Sequence, residues 1–148
     1  MKKTAVIITV MAISLYGCAQ TPPKTVSDNF QSRFASSGKV KWDQEEENEW
    51  EAEFMMDGNE MSASFDKAGT WLETEKEIEN IELPAAVAKA VSDNYPDYKT
   101  DEITEIETPD FKGYEIGLEK GEEIFEILIA PDGTIAKVKE LDEDEDED

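Results

Sequence analysis

Apolar and charged side chains alternate in short segments along most of this chain, which is the period of a β-strand with one buried and one solvated face. Residues 49–55 show the pattern well, since Trp50, Ala52 and Phe54 alternate with glutamates. Connections that contain glycine separate several of the segments and indicate antiparallel neighbours. The eight predicted strands are 39–42, 49–55, 60–65, 70–77, 102–107, 113–119, 123–129 and 134–139.

A helical period precedes each group of four strands. Pro84 suits a first helical turn, and Pro96 ends the second helix because the residue before a proline avoids the helical region. The first helix begins just after Pro22 and Pro23. The apolar stripes are Val26, Phe30 and Phe34 in the first helix and Leu83, Val87, Val91 and Tyr95 in the second.

The second half of the chain echoes the first without a gap at a spacing of 64 residues. The matching segments are 50–54 with 114–118, 61–65 with 125–129, and 69–71 with 133–135. Similarity at a fixed period indicates a duplicated supersecondary unit. We therefore predict an α+β fold of two tandem helix-plus-four-stranded antiparallel repeats, which form one domain around a shared core. The two sheets are expected to be joined or to face each other, with the helices on one side.

This predicted domain covers residues 24–141, with copy one at 24–80 and copy two at 81–141. Residues 142–148 are uninterrupted acids, which repel one another and predict a disordered acidic tail. Such a tail most often only solvates the chain. Weak binding of divalent cations and docking to a basic partner are the alternatives.

The first seventeen residues are predicted to be a lipoprotein signal peptide. Lys2 and Lys3 precede an apolar run, residues 5–15, that is too short to span a bilayer. The run ends Leu-Tyr-Gly-Cys, which looks like a bacterial lipobox, and in such signals the cysteine, here Cys18, becomes the lipidated first residue. An ordinary secretory signal with an incidental cysteine is the alternative. Residues 18–23 then form a tether.

These features predict a lipid-anchored protein of the cell envelope, held to the membrane through its acylated terminus. Ala19 follows the cysteine where an aspartate would favour retention in the inner membrane. By analogy with enteric sorting, the outer membrane is therefore favoured, with the domain facing either the periplasm or the exterior.

The net charge narrows the set of partners. The chain has 14 basic and 37 acidic residues, a formal net charge of −23 at pH 7. Binding to nucleic acid is excluded on this ground, because that contact depends on neutralising phosphates with lysine and arginine. A cationic partner would be attracted.

Few residues are suited to catalysis. The sequence has no histidine, and its one cysteine is Cys18. This excludes Ser-His and Cys-His nucleophiles and His/Cys zinc sites. We interpret the strand glutamates as a solvated face, with none held in a dry pocket. Asp57 to Glu60 lacks the ligand spacing of an EF-hand and suits a hairpin turn. The sequence predicts no enzyme, no cofactor and no metal site, with diffuse, weak binding of divalent cations at most.

Several strings resemble the PepSY-like lipoproteins of Bacteroidetes-type bacteria, which are also described as β-lactamase-inhibitor-like proteins. The strings are 40–42, 50–54, 65–75 and 83–87, and the most specific part is Trp-Leu-Glu-Thr-Glu at residues 71–75 followed by Leu83–Pro84. The resemblance implies an exported tandem α+β module with a curved antiparallel sheet. Secreted β-lactamase inhibitors present such a sheet to their enzyme. No inhibitory residue of the family matches a motif here, so none is transferred.

The leading hypothesis is a non-catalytic envelope lipoprotein that binds a protein or peptide through a sheet face, inhibition being one form of such binding. Exposed methionine and tryptophan suit adaptable binding surfaces, so we predict Met55, Met56 and Trp71 as partner-binding residues. The core-facing period makes the other aromatic residues structural. The alternative function is an acidic envelope protein that binds calcium or other cations.

Overall fold

One eight-stranded antiparallel sheet dominates the computed structural model, which describes residues 20–140. Two ten-residue helices and one short 3₁₀ helix complete the described part. The elements are α1 Lys24–Arg33, β1 Val40–Glu46, β2 Glu49–Met56, β3 Asn59–Asp66, β4 Trp71–Glu77, the 3₁₀ helix Asn80–Glu82, α2 Ala85–Asn94, β5 Lys99–Glu107, β6 Lys112–Lys120, β7 Glu123–Ile129 and β8 Ile135–Glu140.

The predicted α+β class, with two helix-plus-four-strand repeats, is wrong. The protein is mainly β, because eight strands form one sheet and the two helices are short. The segments predicted as strands do form strands, although β5 begins three residues earlier, at Lys99, and β1 extends to Glu46. The pattern therefore located the strands and misjudged how they assemble.

The strands follow one another in the sheet in chain order, from β1 to β8. The ladder between β4 and β5 joins the two halves through four residue pairs, from Thr74 with Glu107 to Glu77 with Thr104. The 3₁₀ helix and α2 lie in the connection between these strands. This ladder makes one continuous sheet, so the two halves do not face each other.

The expectation of one shared core is also wrong. One buried cluster lies between α1 and strands β2 and β3, and its centre is Phe30, which lies 5.0 Å from Phe54 and 5.3 Å from Trp42 between ring centroids. The other lies between α2 and the second half of the sheet, around Val87. Its buried members are Val87, Ile103, Ile116, Leu118, Ile127 and Ile129. Each helix thus packs on its own part of one sheet face.

Two glycine turns fix how each helix lies on the sheet. Gly69 and Gly133 have φ values of +87° and +88°, a region that favours glycine. A Cβ on Gly69 would lie 2.8 Å from the Thr25 carbonyl oxygen, and a Cβ on Gly133 would lie 2.7 Å from the Ala86 carbonyl oxygen. The first turn of each helix therefore rests directly on a turn of the sheet.

Candidate functional site

Both helices pack on the same face of the sheet, and no helix of the described residues covers the other. We call this uncovered side the acidic face. Strand alternation places on it the residues that do not point toward the helices. Its main members are Lys41 and Asp43 on β1, Glu49, Glu51, Glu53 and Met55 on β2, Ser62 and Ser64 on β3, Glu73 and Glu75 on β4, Ile106 on β5, Glu115 on β6, and Glu126 and Leu128 on β7.

Two rows of glutamates flank two short serines at one end of this face. In the register of the sheet, Ser64 lies between Glu51 and Glu73. Neighbouring strands lie about 4.8 Å apart, so the two glutamate rows are roughly 10 Å apart at the backbone. We call this arrangement the acidic trough, and it consists of Glu51, Glu53, Ser62, Ser64, Glu73 and Glu75.

The trough is far less solvated than its composition suggests. Glu73 is only 6% exposed, and the hydroxyl-bearing Ser62 and Ser64 beneath the glutamates are buried as well. In the part of the chain that the structure describes, no donor hydrogen bonds the Glu73 carboxylate, and the charges that act on it are those of other glutamates. A buried carboxylate without a partner is unfavourable when ionised.

Burial therefore shifts the titration of these glutamates toward neutral pH. Burial, followed by repulsion from neighbouring glutamates, raises the pKa of Glu75 to about 8 and that of Glu73 to about 7. Burial also raises the pKa of Glu51 to about 7, and repulsion from Glu45 adds to the effect. The interpretation of the strand glutamates as a solvated face is therefore wrong for Glu73, which is buried.

An apolar patch lies beside the trough on the same face. Ile106 and Leu128 are buried there, with Phe111 packed against them. Ile106 pairs with Glu75 across the β4–β5 ladder, which removes water from one side of that carboxyl group. Phe111 covers Gly113, since a Cβ at that glycine would lie 2.6 Å from its Cζ atom. The acidic face thus combines charged side chains with an adjacent apolar patch that excludes water.

Lys41 shows how this face holds an ammonium group. Its Nζ atom lies 2.7 Å from Asp43 Oδ2 and 3.0 Å from Glu53 Oε2, at the edge of the trough. The hydrogen bonds to Asp43 and Glu53 raise the pKa of Lys41 above its usual value. One cation is therefore bound by carboxylates of two neighbouring strands.

The three residues predicted to bind a partner do not form one surface. Met55 is 48% exposed and lies on the acidic face. Met56 and Trp71 pack against the first core cluster on the opposite face. There Trp71 is covered by Arg33, whose Cζ atom is 3.6 Å from the ring centroid, and its indole N–H donates to Thr74 Oγ1 at 2.9 Å. Cys18, the predicted lipidation site, lies outside the described residues.

A shallow cavity on the helix side is less suited to binding. It is lined by Asn29, Ser32, Arg33, Phe65, Gly69 and Trp71. The Asn29 amide already donates to the Gly69 carbonyl oxygen at 2.7 Å, and the Arg33 guanidinium pairs with Glu107 at 3.2 Å. Its polar groups are thus engaged within the protein.

The glutamates of the trough were missed as a site because their alternation resembles that of any solvated strand. One signal was present in the sequence. On β3, the strand between the two glutamate rows, Ser62 and Ser64 occupy positions at which the neighbouring strands carry glutamates. The short serine side chains leave space for the flanking glutamates to lie over the sheet. The importance of these serines emerges only when the register places them between Glu51 and Glu73.

The described residues offer neither a metal centre nor a membrane span. Among residues 20–140, no group of three or more Asp, Glu, His or Cys residues is arranged to hold a metal ion. Within the same range, no helix has the length and apolar character needed to cross a bilayer.

Comparison with known proteins gives one family and several related folds. The family described as "Putative beta-lactamase-inhibitor-like, PepSY-like" matches residues 47–137. A BLIP-like protein from Bacteroides fragilis is 23% identical with a TM-score of 0.76, over 87% of this chain and 93% of that one. A DUF2874 family protein from Bacteroides ovatus is 22% identical with a TM-score of 0.77, over 86% and 93%.

A third similar structure, from Bacteroides eggerthii, is described as a putative periplasmic protein. It is 20% identical with a TM-score of 0.72, over 82% of this chain and 90% of that one. No curated protein matches the chain. At these identities the similarities show a shared fold.

Proposed function

Because the chain belongs to the PepSY-like, β-lactamase-inhibitor-like family, we propose that it is a non-catalytic envelope protein that binds a protein or peptide partner through the acidic face of its sheet. The observation that carries the proposal is the uncovered face itself. It presents a trough of glutamates, an apolar flank and the exposed Met55 on one rigid sheet. Mixed apolar and polar surfaces of this kind are typical of protein interfaces.

We propose a non-catalytic protein because of the amino-acid composition and the family description. The 148-residue sequence has no histidine, and its one cysteine is assigned to the lipid anchor. The family description is that of inhibitor-like proteins. Inhibition of a secreted enzyme is therefore one form that the binding takes, and adding the purified protein to a β-lactamase assay tests that form separately.

Site-specific photo-crosslinking tests which face binds the partner. We expect a photoreactive residue in place of Met55 to give an adduct of defined mass in envelope extracts, because Met55 lies on the acidic face. The matched control is the same substitution at Gln31, an exposed position on α1. Excess unlabelled protein should abolish the adduct. Adducts from Gln31 alone, or from neither position, would contradict the proposal.

The proposal places the protein outside the cytoplasm, anchored through Cys18 and favouring the outer membrane. The lipobox-like residues 15–18 and Ala19 support this placement, as does the description of the Bacteroides eggerthii structure. We expect Cys18→Ser to move the protein from the membrane fraction to the soluble fraction and to remove the acyl mass from its terminus. Thr21→Ser in the tether is the control. A Cys18→Ser variant that stays in the membrane fraction would contradict the lipid anchor.

A further inference from the structure

We infer that the occupant of the acidic trough is a basic polypeptide segment, whose lysine or arginine side chains enter between the two glutamate rows above Ser62 and Ser64. The inference rests on the proposed function, and it adds the chemistry of the partner. Three independent observations support it: the geometry of the rows, the state of Glu73 and the binding of Lys41.

The first observation is the spacing of the rows. Glu51 and Glu73 extend from strands on either side of Ser64. Backbones roughly 10 Å apart are far enough from each other for an ammonium or guanidinium group to lie between two carboxylates that extend from them. The short serines leave room beneath that group.

The second observation is that Glu73 lacks a donor. The residue is only 6% exposed, and among the described residues the charges that act on its carboxyl group are carboxylates, led by that of Glu49. A largely buried carboxylate among other carboxylates is unfavourable when it is ionised, and a cationic donor from a ligand would offset that cost. The position of Glu73 thus indicates a ligand that donates hydrogen bonds and carries positive charge.

The third observation is the internal precedent of Lys41. Its ammonium group lies between Asp43 and Glu53 at 2.7 and 3.0 Å, on the same face. Glu53 is itself part of the trough. A lysine of the partner would repeat this arrangement one or two strands further along the sheet.

Binding should release protons, because burial raises the pKa values of Glu51, Glu73 and Glu75 to about 7, 7 and 8, so that these side chains carry protons near neutral pH. A cation that enters favours the ionised carboxylates, so affinity should increase as pH rises from about 6 to about 8.5. Ordinary surface carboxylates are already ionised in this range and would give no such change. The carboxylates that act on Glu73 are those of Glu49, Glu51 and Glu115, and those that act on Glu75 are those of Glu73, Glu51, Glu102 and Glu126. Other charged residues on the same face of the sheet are Lys41, Asp43, Glu53, Glu60, Glu77 and Lys137.

Calorimetric titration with an oligolysine peptide tests the inference at low salt. We expect affinity to rise about tenfold between about pH 6 and about pH 8.5, which is the change expected when binding requires the ionisation of one carboxyl group with a pKa of about 7, the value for Glu73. The double variant Glu73→Gln/Glu75→Gln should lose most of this binding. Glu122→Gln in the exposed β6–β7 turn removes one carboxylate outside the trough and should bind almost like the wild type.

Other outcomes would overturn the inference. Equal binding by all variants, or affinity that does not change with pH, would mean that only overall charge attracts the peptide. Displacement of the peptide by calcium chloride at matched ionic strength would indicate a metal-ion site. Melting temperatures of the variants show whether each is folded. If oligolysine fails but Met55 still gives an adduct, the partner is not basic and only this inference fails. If both fail, the proposed function fails too.

Discussion

The protein should become less stable as pH rises from about 5 to about 8.5, with a loss on the order of 3 kcal/mol. The pKa of Glu73 is raised by burial from 4.5 to about 7 and that of Glu75 to about 8. The folded state thus binds more protons than the unfolded state in this range. The stabilising contribution is fully present below about pH 4.5 and is lost as pH rises through the folded values. A pKa difference of one between the folded and unfolded states corresponds to about 1.4 kcal/mol of stability. The contributions of neighbouring glutamates that repel one another do not add in full, because their titrations are coupled.

Urea denaturation at several pH values measures this loss. Replacement of the acid by its neutral isostere in Glu75→Gln should raise the free energy of unfolding at about pH 8.5 by about 2 kcal/mol and flatten its dependence on pH. Glu122→Gln removes one charge from an exposed turn and should change the stability by less than about 0.5 kcal/mol. Stability that instead rises with pH over this range would show that Glu73 and Glu75 are ionised without penalty in the folded protein.

Gly69→Ala and Gly133→Ala should each destabilise the protein by roughly 3 kcal/mol or more. Both positions have positive φ, and the added Cβ would lie within 2.8 Å of a helix carbonyl oxygen, at Thr25 or Ala86. Backbone strain alone accounts for about 1 kcal/mol, and the rest comes from pushing the helix away from the sheet.

Two other glycines supply matched controls for this prediction. Gly58 and Gly121 have φ values of +84° and +66°, and nothing lies within 4 Å of a Cβ built on either. Alanine there should cost only about 1 kcal/mol. Thermal unfolding followed by circular dichroism compares the four variants. Equal losses at all four positions would mean that the helix contact adds nothing to the backbone strain.

Local pattern predicted the strands because their period is visible within each segment. The alternation of Trp50, Ala52 and Phe54 identifies β2, and Pro84 and Pro96 bracket α2. The family resemblance built on these segments is confirmed by the match over residues 47–137. The proposed domain boundaries and the three partner-binding residues stay predictions.

Assembly of the sheet could not be predicted in the same way. The pairing of Thr74 with Glu107 joins segments that are far apart in the chain, and nothing in either segment specifies the other. Because of that pairing, the eight strands form one continuous sheet, and the hydrophobic residues that pack on it divide into two clusters.

The sequence also could not predict which individual glutamates are buried. Glu53 and Glu73 occupy the same kind of alternating position, yet Glu73 is buried while Glu53 is partly exposed and binds Lys41. The difference arises from neighbours on other strands, since Glu73 lies among acids on both sides of it in the sheet. A pattern of period two specifies a face, and only the complete sheet determines the solvation of each position on it.

The order of the strands has a consequence for how the chain folds. Most ladders join neighbours across short turns, so these hairpins close over small sequence separations and can form rapidly. The ladder between β4 and β5 must instead close over residues 78–98, which include α2. We expect it to form last. Until then the two halves of one molecule are free to pair with those of another, which is the route to exchange of halves between chains and to an intertwined dimer.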